Sequence, residues 1–199
     1  MPTEHEYKFV VHKDIERFRE NPIPKGITYN KYLIRQGYLA FSKGMTTRIR
    51  CLQKVGPDGR DKKKWYLTFK QKSNSGRVIE IEKKLDGRDG SELWDICVGK
   101  LKKERFSFDN GNVTWELDFF LNHNQVYFVL VEAELPEGES RPEMPSFLQP
   151  FLLYKAELED DRFSNKRLGD VDYSTKIYKE LLRIYGEHDD DNDKRAKGL

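Results

Sequence analysis

Same-sign charges two residues apart, set against bulky apolar neighbours, recur along this chain and limit what it can fold into. In the first instance Glu4, Glu6 and Lys8 share one face of an extended segment, while His5, Tyr7 and Phe9 share the other. A spacing of two belongs to a β-strand, whose side chains alternate between faces. Any one such segment is satisfied by a sheet with one face in water. The set is more demanding because its signs are sorted by strand. Acids pair in Glu4/Glu6, Glu80/Glu82, Glu116/Asp118 and Glu132/Glu134; bases pair in Arg48/Arg50, Lys70/Lys72 and Lys103/Arg105. A face that serves only solubility mixes signs along each strand.

The segments between the doublets supply turns and a few helices. Gly56-Pro57-Asp58-Gly59, Ser73-Asn74-Ser75-Gly76, Asn110-Gly111 and Asn122-His123-Asn124 are hairpin signals. A short helix is predicted from His12 to Glu20. Ile27 to Ser42 is strand-like, with a turn at Gln36-Gly37. Asp86-Gly87-Arg88-Asp89-Gly90 reads as a loop, after which Ser91 caps a helix over Glu92 to Leu101. Met144 to Leu153 is predicted as a short helix, and Tyr154 to Leu158 as a strand. Tyr173 to Tyr185 is predicted as an amphipathic helix with Ile177, Leu181, Leu182 and Tyr185 on its apolar side.

Charge balance excludes some functions. With 36 Lys and Arg against 34 Asp and Glu, the net charge is only +2, which argues against bulk electrostatic binding of DNA. Mean hydropathy is −0.83, low for a folded chain, yet aromatic residues are 13% of the sequence and lie in regular short runs. Polarity on that scale needs either a large wet surface or a polar interior. Residues 1–186 are expected to form one domain, with 187–199 a disordered tail. No signal peptide or membrane-length apolar run is seen, and Cys51 and Cys97 suggest neither a disulfide framework nor a metal motif. A cytoplasmic setting without membrane association is therefore expected.

An α+β fold accommodates these features: an antiparallel β-barrel with a charged lumen and the helices packed outside. Such a lumen suits a ligand that is itself highly charged. Carboxylate pairs suit a hard cation such as Mg²⁺ or Mn²⁺, and Arg and Lys pairs suit phosphate oxygens. Together they describe a metal-bound polyphosphate, with attack on phosphorus as the associated chemistry.

The ordered motifs Glu4-x-Glu6-x-Lys8, Arg48-x-Arg50, Lys70-x-Lys72, Glu80-x-Glu82, Lys103-x-Arg105, Glu116-x-Asp118 and Glu132-x-Glu134 resemble the CYTH superfamily, the triphosphate tunnel metalloenzymes. The resemblance runs from residue 4 to about 168, and Pro145-x-Phe147-Leu148 and Arg162-Phe163-Ser164-Asn165 continue it. The family often has a lysine immediately before that Asn. This chain has Ser164 there, with Lys166 as the nearby substitute. The resemblance implies that the barrel is an eight-stranded antiparallel tunnel, and that Glu4, Glu6, Glu132, Glu134 and Asp118 hold Mg²⁺ or Mn²⁺ in it. It implies that Lys8, Arg48, Arg50, Lys70, Lys72, Lys103 and Arg105 line the phosphate path, and that Lys8, Glu116 and Asp118 act in catalysis. Glu80 and Glu82 either bind water or metal or balance the basic strands.

The activity implied is metal-dependent hydrolysis of a small-molecule triphosphate, with tripolyphosphate preferred over ATP and thiamine triphosphate. Two alternatives stay open: ATP cyclisation of the class IV adenylyl cyclase type, and a non-catalytic polyphosphate- or nucleotide-binding module. The oligomeric state is not set by the sequence, and a homodimer is one option. His5 faces away from Glu4 and Glu6 and is expected to pack, while His12, His123 and His188 read as surface residues. Lys62-Lys63-Lys64-Trp65 reads as a solvated hairpin stem, and Cys51 and Cys97 read as core.

Overall fold

The computed structural model describes residues 4–42, 45–56, 59–73, 78–136, 138–158 and 160–186. The expected tail, 187–199, lies outside them. Among the described residues no helix is long and apolar enough to cross a membrane.

Among the described residues ten strands make one antiparallel sheet: β1 (Glu4–Val11), β2 (Tyr29–Ser42), β3 (Met45–Gly56), β4 (Gly59–Arg60), β5 (Lys64–Lys72), β6 (Val78–Leu85), β7 (Val98–Asn110), β8 (Val113–Asn122), β9 (Gln125–Pro136) and β10 (Leu152–Lys155). Their order is β10-β1-β9-β8-β7-β2-β3-β5-β6, with β4 attached to β3 alone. Among the described residues three α-helices accompany the sheet: α1 (Gly87–Asp95), α2 (Asn165–Leu168) and α3 (Val171–Tyr185).

The closed eight-stranded barrel does not form. Among the described residues β6 pairs only with β5 and β10 only with β1, so the sheet is an open, curled one. The four residues of β10 meet only the C-terminal end of β1. Curling is nevertheless pronounced, since side chains of β1 line the same cavity as side chains of β3 and β5, far along the strand order.

Among the described residues three apolar clusters pack on the sheet. On the convex side Phe9, Phe106, Trp115, Leu117, Phe119, Val129 and Val131 pack beneath the 3-10 turn Lys13–Phe18 and the segment carrying Met144 and Leu148. Each such buried side chain contributes about 1.5–3 kcal/mol. The second core corrects the expectation that all helices pack outside. Val10, Phe120, Phe128 and Leu130 share a sheet face with Lys8, Asp118 and Glu132, and α3 covers them with Ile177, Tyr178 and Leu181. One end of the concave face is therefore apolar and plugged by α3, because the charged doublets give way there to Val, Leu and Phe.

Helix α1 does pack on the convex side, over Ile49, Cys51 and Trp65. It begins earlier than the sequence predicts. Asp86, not Ser91, caps it by accepting from the Arg88 and Asp89 amides, and Leu101 belongs to β7. Gly90, which reads as a loop residue, lets the helix lie directly on the Trp65 side chain, where a Cβ would collide. Gly37 plays a similar part: β2 runs straight through it, and a Cβ there would stand 2.7 Å from Cys97 Cβ. The expected turn at Gln36-Gly37 is instead an irregularity in pairing on both sides of Tyr38.

Candidate functional site: a charged groove

Strand register decides whether the doublets meet. Lys8 lies opposite Glu132, and Glu132 opposite Glu116; Glu6 lies opposite Glu134. Arg105 pairs with Asp118, Tyr38 with Arg48, Arg48 with Thr68, Lys70 with Glu80 and Thr68 with Glu82. Directly opposed residues in an antiparallel pair share a face. All seven doublets therefore lie on one face of the sheet, the concave one. Glu4 and Lys72 occupy the matching backbone positions, but their side chains fall outside the description.

The groove has a cavity of about 300 Å³, lined by Glu6 and Lys8 from β1, Tyr38 from β2, Thr46 and Arg48 from β3, and Thr68 and Lys70 from β5. Ser164, Asn165 and Lys166 complete it. Tyr38 and its neighbour Gln36 carry no charge signal in the sequence. Gln36 Nε2 donates to the Tyr38 hydroxyl at 2.9 Å, and both residues are buried. Only the interrupted alternation of β2 marks them.

Arg105 organises the deeper wall. Its Nε donates to Asp118 Oδ1 at 2.7 Å, its Nη2 to Asp118 Oδ2 at 2.6 Å and to Glu132 Oε2 at 2.8 Å, and its Nη1 pairs with Glu116. Lys103 Nζ also donates to Asp118 Oδ2, at 2.5 Å, and to Asn165 Oδ1 at 2.9 Å, tying α2 to the wall. Asp118 and Glu132 side chains are both 0% exposed. Against the cost of burial, Arg105 and Lys103 hold the Asp118 carboxyl down to about 2. Burial pushes Glu116 up to about 7, reinforced by Asp118 and Glu134 and opposed by Arg105. Burial and the neighbouring Glu6 likewise raise Glu132 well above the carboxylate range.

Toward the mouth, Lys8 Nζ lies 2.5 Å from Glu6 Oε2 and 4.0 Å from Glu132 Oε1. Against the cost of burial, Lys8 holds Glu6 below the ordinary carboxylate range. Glu132 Oε1 is buried and finds no donor. That oxygen, beside Glu6 and near Glu134 in the register, has the hard oxygen chemistry that divalent cations take. Asp118 fits less well, because both of its oxygens already accept from Lys103 and Arg105. Among the described residues no three His, Cys, Asp or Glu side chains converge as a ready-made cage.

The basic wall differs in kind. Arg50 Nη2 donates to Glu82 Oε2 at 3.1 Å, Thr68 Oγ1 donates to the same oxygen at 3.0 Å, and Lys70 Nζ lies 3.3 Å from Glu80 Oε2. Glu80 and Glu82 thus stand as charge partners of the basic strands. Among the described residues Arg48 has no ion pair, and its Nε is buried without an acceptor. Burial and the like charge of Arg48 lower the pKa of Arg50.

No protein-family model matches the chain. It is similar to an inorganic triphosphatase of Acetivibrio thermocellus, with 30% identity over 170 residues that span 84% of this chain and 94% of the relative. Among solved structures it is similar to the PH1819 protein of Pyrococcus horikoshii OT3, at 22% identity, 90% of each chain and a TM-score of 0.46. The PH1012 protein of the same organism is 21% identical over 69% of this chain and 80% of that one, with a TM-score of 0.44.

Proposed function

The chain belongs to the family of the Acetivibrio thermocellus inorganic triphosphatase, and from that premise we propose that it hydrolyses a small triphosphate, tripolyphosphate foremost, bound in the concave groove. The observation that carries this reading is that Glu6 and Lys8 from one wall and Arg48 and Lys70 from the other line one cavity. In the wider classification, the same motif order fits the CYTH superfamily.

Arg48, Arg50, Lys70 and Lys72 hold the non-reacting phosphates, Arg with planar forks and Lys as point charges. Lys8, between Glu6 and Glu132, meets the phosphoryl group that is transferred. Glu6, Glu132 and Glu134, with Glu4, would hold Mg²⁺ or Mn²⁺, and Asp118 would join them only if Lys103 and Arg105 turned toward phosphate. A bound divalent cation supplies charge neutralisation at the phosphoryl oxygens and a more acidic water.

Glu116, pushed up to about 7, is poised to take a proton from the attacking water near neutral pH. The new bond joins water oxygen to the terminal phosphorus. The bond from that phosphorus to its bridging oxygen breaks, leaving orthophosphate and diphosphate. Asp118 keeps Arg105 and Lys103 aimed while charge develops.

The deciding assay offers tripolyphosphate, ATP and thiamine triphosphate in turn, each with Mg²⁺ or Mn²⁺. Orthophosphate release with tripolyphosphate as best substrate is expected. Cyclic AMP with pyrophosphate from ATP would replace this reading with a cyclase, and tight binding with no product would replace it with a binding module.

A further inference from the structure

The edge strand β6 places Glu80 and Glu82 against two of the cations that the proposed reaction assigns to phosphate. Glu82 accepts from both Arg50 and Thr68 through one oxygen, and Glu80 pairs with Lys70. The two carboxylates are 45% and 37% exposed, so each can swing into water. Arg48, on the neighbouring strand position, has no such partner among the described residues. Among the described side chains, the basic wall is therefore divided into one uncovered cation, Arg48, and two covered ones, Arg50 and Lys70.

We infer that Glu80 and Glu82 are internal placeholder anions: they occupy Lys70 and Arg50 when no phosphate does, and retake them when product leaves. This inference rests on the triphosphatase reading of the groove. An incoming anion must displace two carboxylates as well as water. A polyanion that engages Arg48 and both covered cations at once accomplishes this, whereas orthophosphate, sulfate or a single diphosphate competes poorly. Glu80 and Glu82 thereby set selectivity for highly charged substrates and limit product inhibition. They act as positioning residues, working through Arg50 and Lys70.

The test compares the full chain with Glu80→Gln, Glu82→Gln and the double variant. Gln keeps the side-chain size and can still accept from Thr68. Calorimetric titration with sodium sulfate and with pyrophosphate should show binding tightened about three- to fivefold for each charge removed, the size expected of a half-exposed ion pair. The gain should shrink as ionic strength rises. In steady-state assays the tripolyphosphate KM and the orthophosphate inhibition constant should both fall, and kcat should not rise. A carboxylate that only orders the sheet, or that binds metal, gives the opposite result: weaker anion binding and a raised KM. That outcome overturns the inference, as does unchanged or undetectable sulfate and pyrophosphate binding in the double variant. Sulfate binding is read without turnover, so tightened sulfate binding in a chain that hydrolyses no triphosphate would overturn the substrate reading and leave the placeholder role standing.

Discussion

On the wall built from β7, β8 and β9, Arg105 reaches Asp118, Glu132 and Glu116 at once, and its side chain is only 13% exposed. On the wall built from β3, β5 and β6, Lys70 is 56% exposed and meets one carboxylate, while Arg48 meets none among the described residues. The two walls carry similar residue types on one continuous face, yet their charges do different things. In the first, acids and bases on adjacent central strands satisfy one another away from water, and the network fixes the shape of the groove. In the second, the neutralising acids sit on an edge strand, so positive charge stays available. Burying opposite charges together removes them from solution chemistry, and placing one partner at an edge leaves the other free to exchange.

The largest effect that would break this contrast is Arg105→Ala. It strands Asp118 and Glu132 without their shared cation, so a loss of about 3–5 kcal/mol in denaturant unfolding is expected. A much smaller loss would show that the deep wall is not held by ion pairing. Next comes Glu132→Gln. Burial and Glu6 already disfavour the charge on Glu132, so the neutral amide should leave unfolding stability unchanged or improved while turnover falls by roughly 10²-fold. Glu134→Gln should likewise abolish metal-dependent turnover and keep the fold. Wild-type rates in both variants would remove these carboxylates from the reaction.

The pH dependence of stability probes the deep wall without mutating its cation. The folded pKa of Glu116, about 7, lies above its ordinary 4.5, so the native state binds the extra proton between those values. Stability should therefore fall as pH rises from about 4.5 to 7, by on the order of 2 kcal/mol in metal-free buffer. Glu116→Gln should make that limb shallower, leaving the share contributed by Glu132, which is raised as well. Arg48→Ala probes the opposite wall. Since Arg48 has no ion pair to lose among the described residues, stability should change by less than about 0.5 kcal/mol. Its KM for tripolyphosphate should rise about tenfold, the worth of one charged hydrogen bond. A large unfolding penalty in this variant would erase the distinction between the walls.

Much of this arrangement is legible before any coordinates, and the reason is period two. A doublet such as Glu116/Asp118 keeps its facing whatever the sheet does, so the ordered doublets predict a common face, which the register bears out. β2 was opaque because its inward residues, Gln36 and Tyr38, are uncharged and its pairing is irregular between them. Alternation also says nothing about whether two edges meet, and the expected closure failed on that point. For α3, Ile177 and Leu181 announce an apolar side, but not that the side would face the concave end of the sheet. At α1, two glycines in Asp86–Gly90 resembled a loop, when one of them permits contact with Trp65. Close approach between elements is a tertiary demand that composition does not encode.

Among the described residues the outer edges of β6 and β10 are unpaired, and this carries a consequence for traffic. A ring must be threaded from an end, which favours slim, linear guests with a free terminus. A channel with a slit along its length works as a clasp: a phosphate chain can be laid in sideways, and a bulky group attached to it can remain outside the slit. Which triphosphates fit is then governed less by the width of a bore than by what the rims at β6 and at Ser164–Lys166 allow to project.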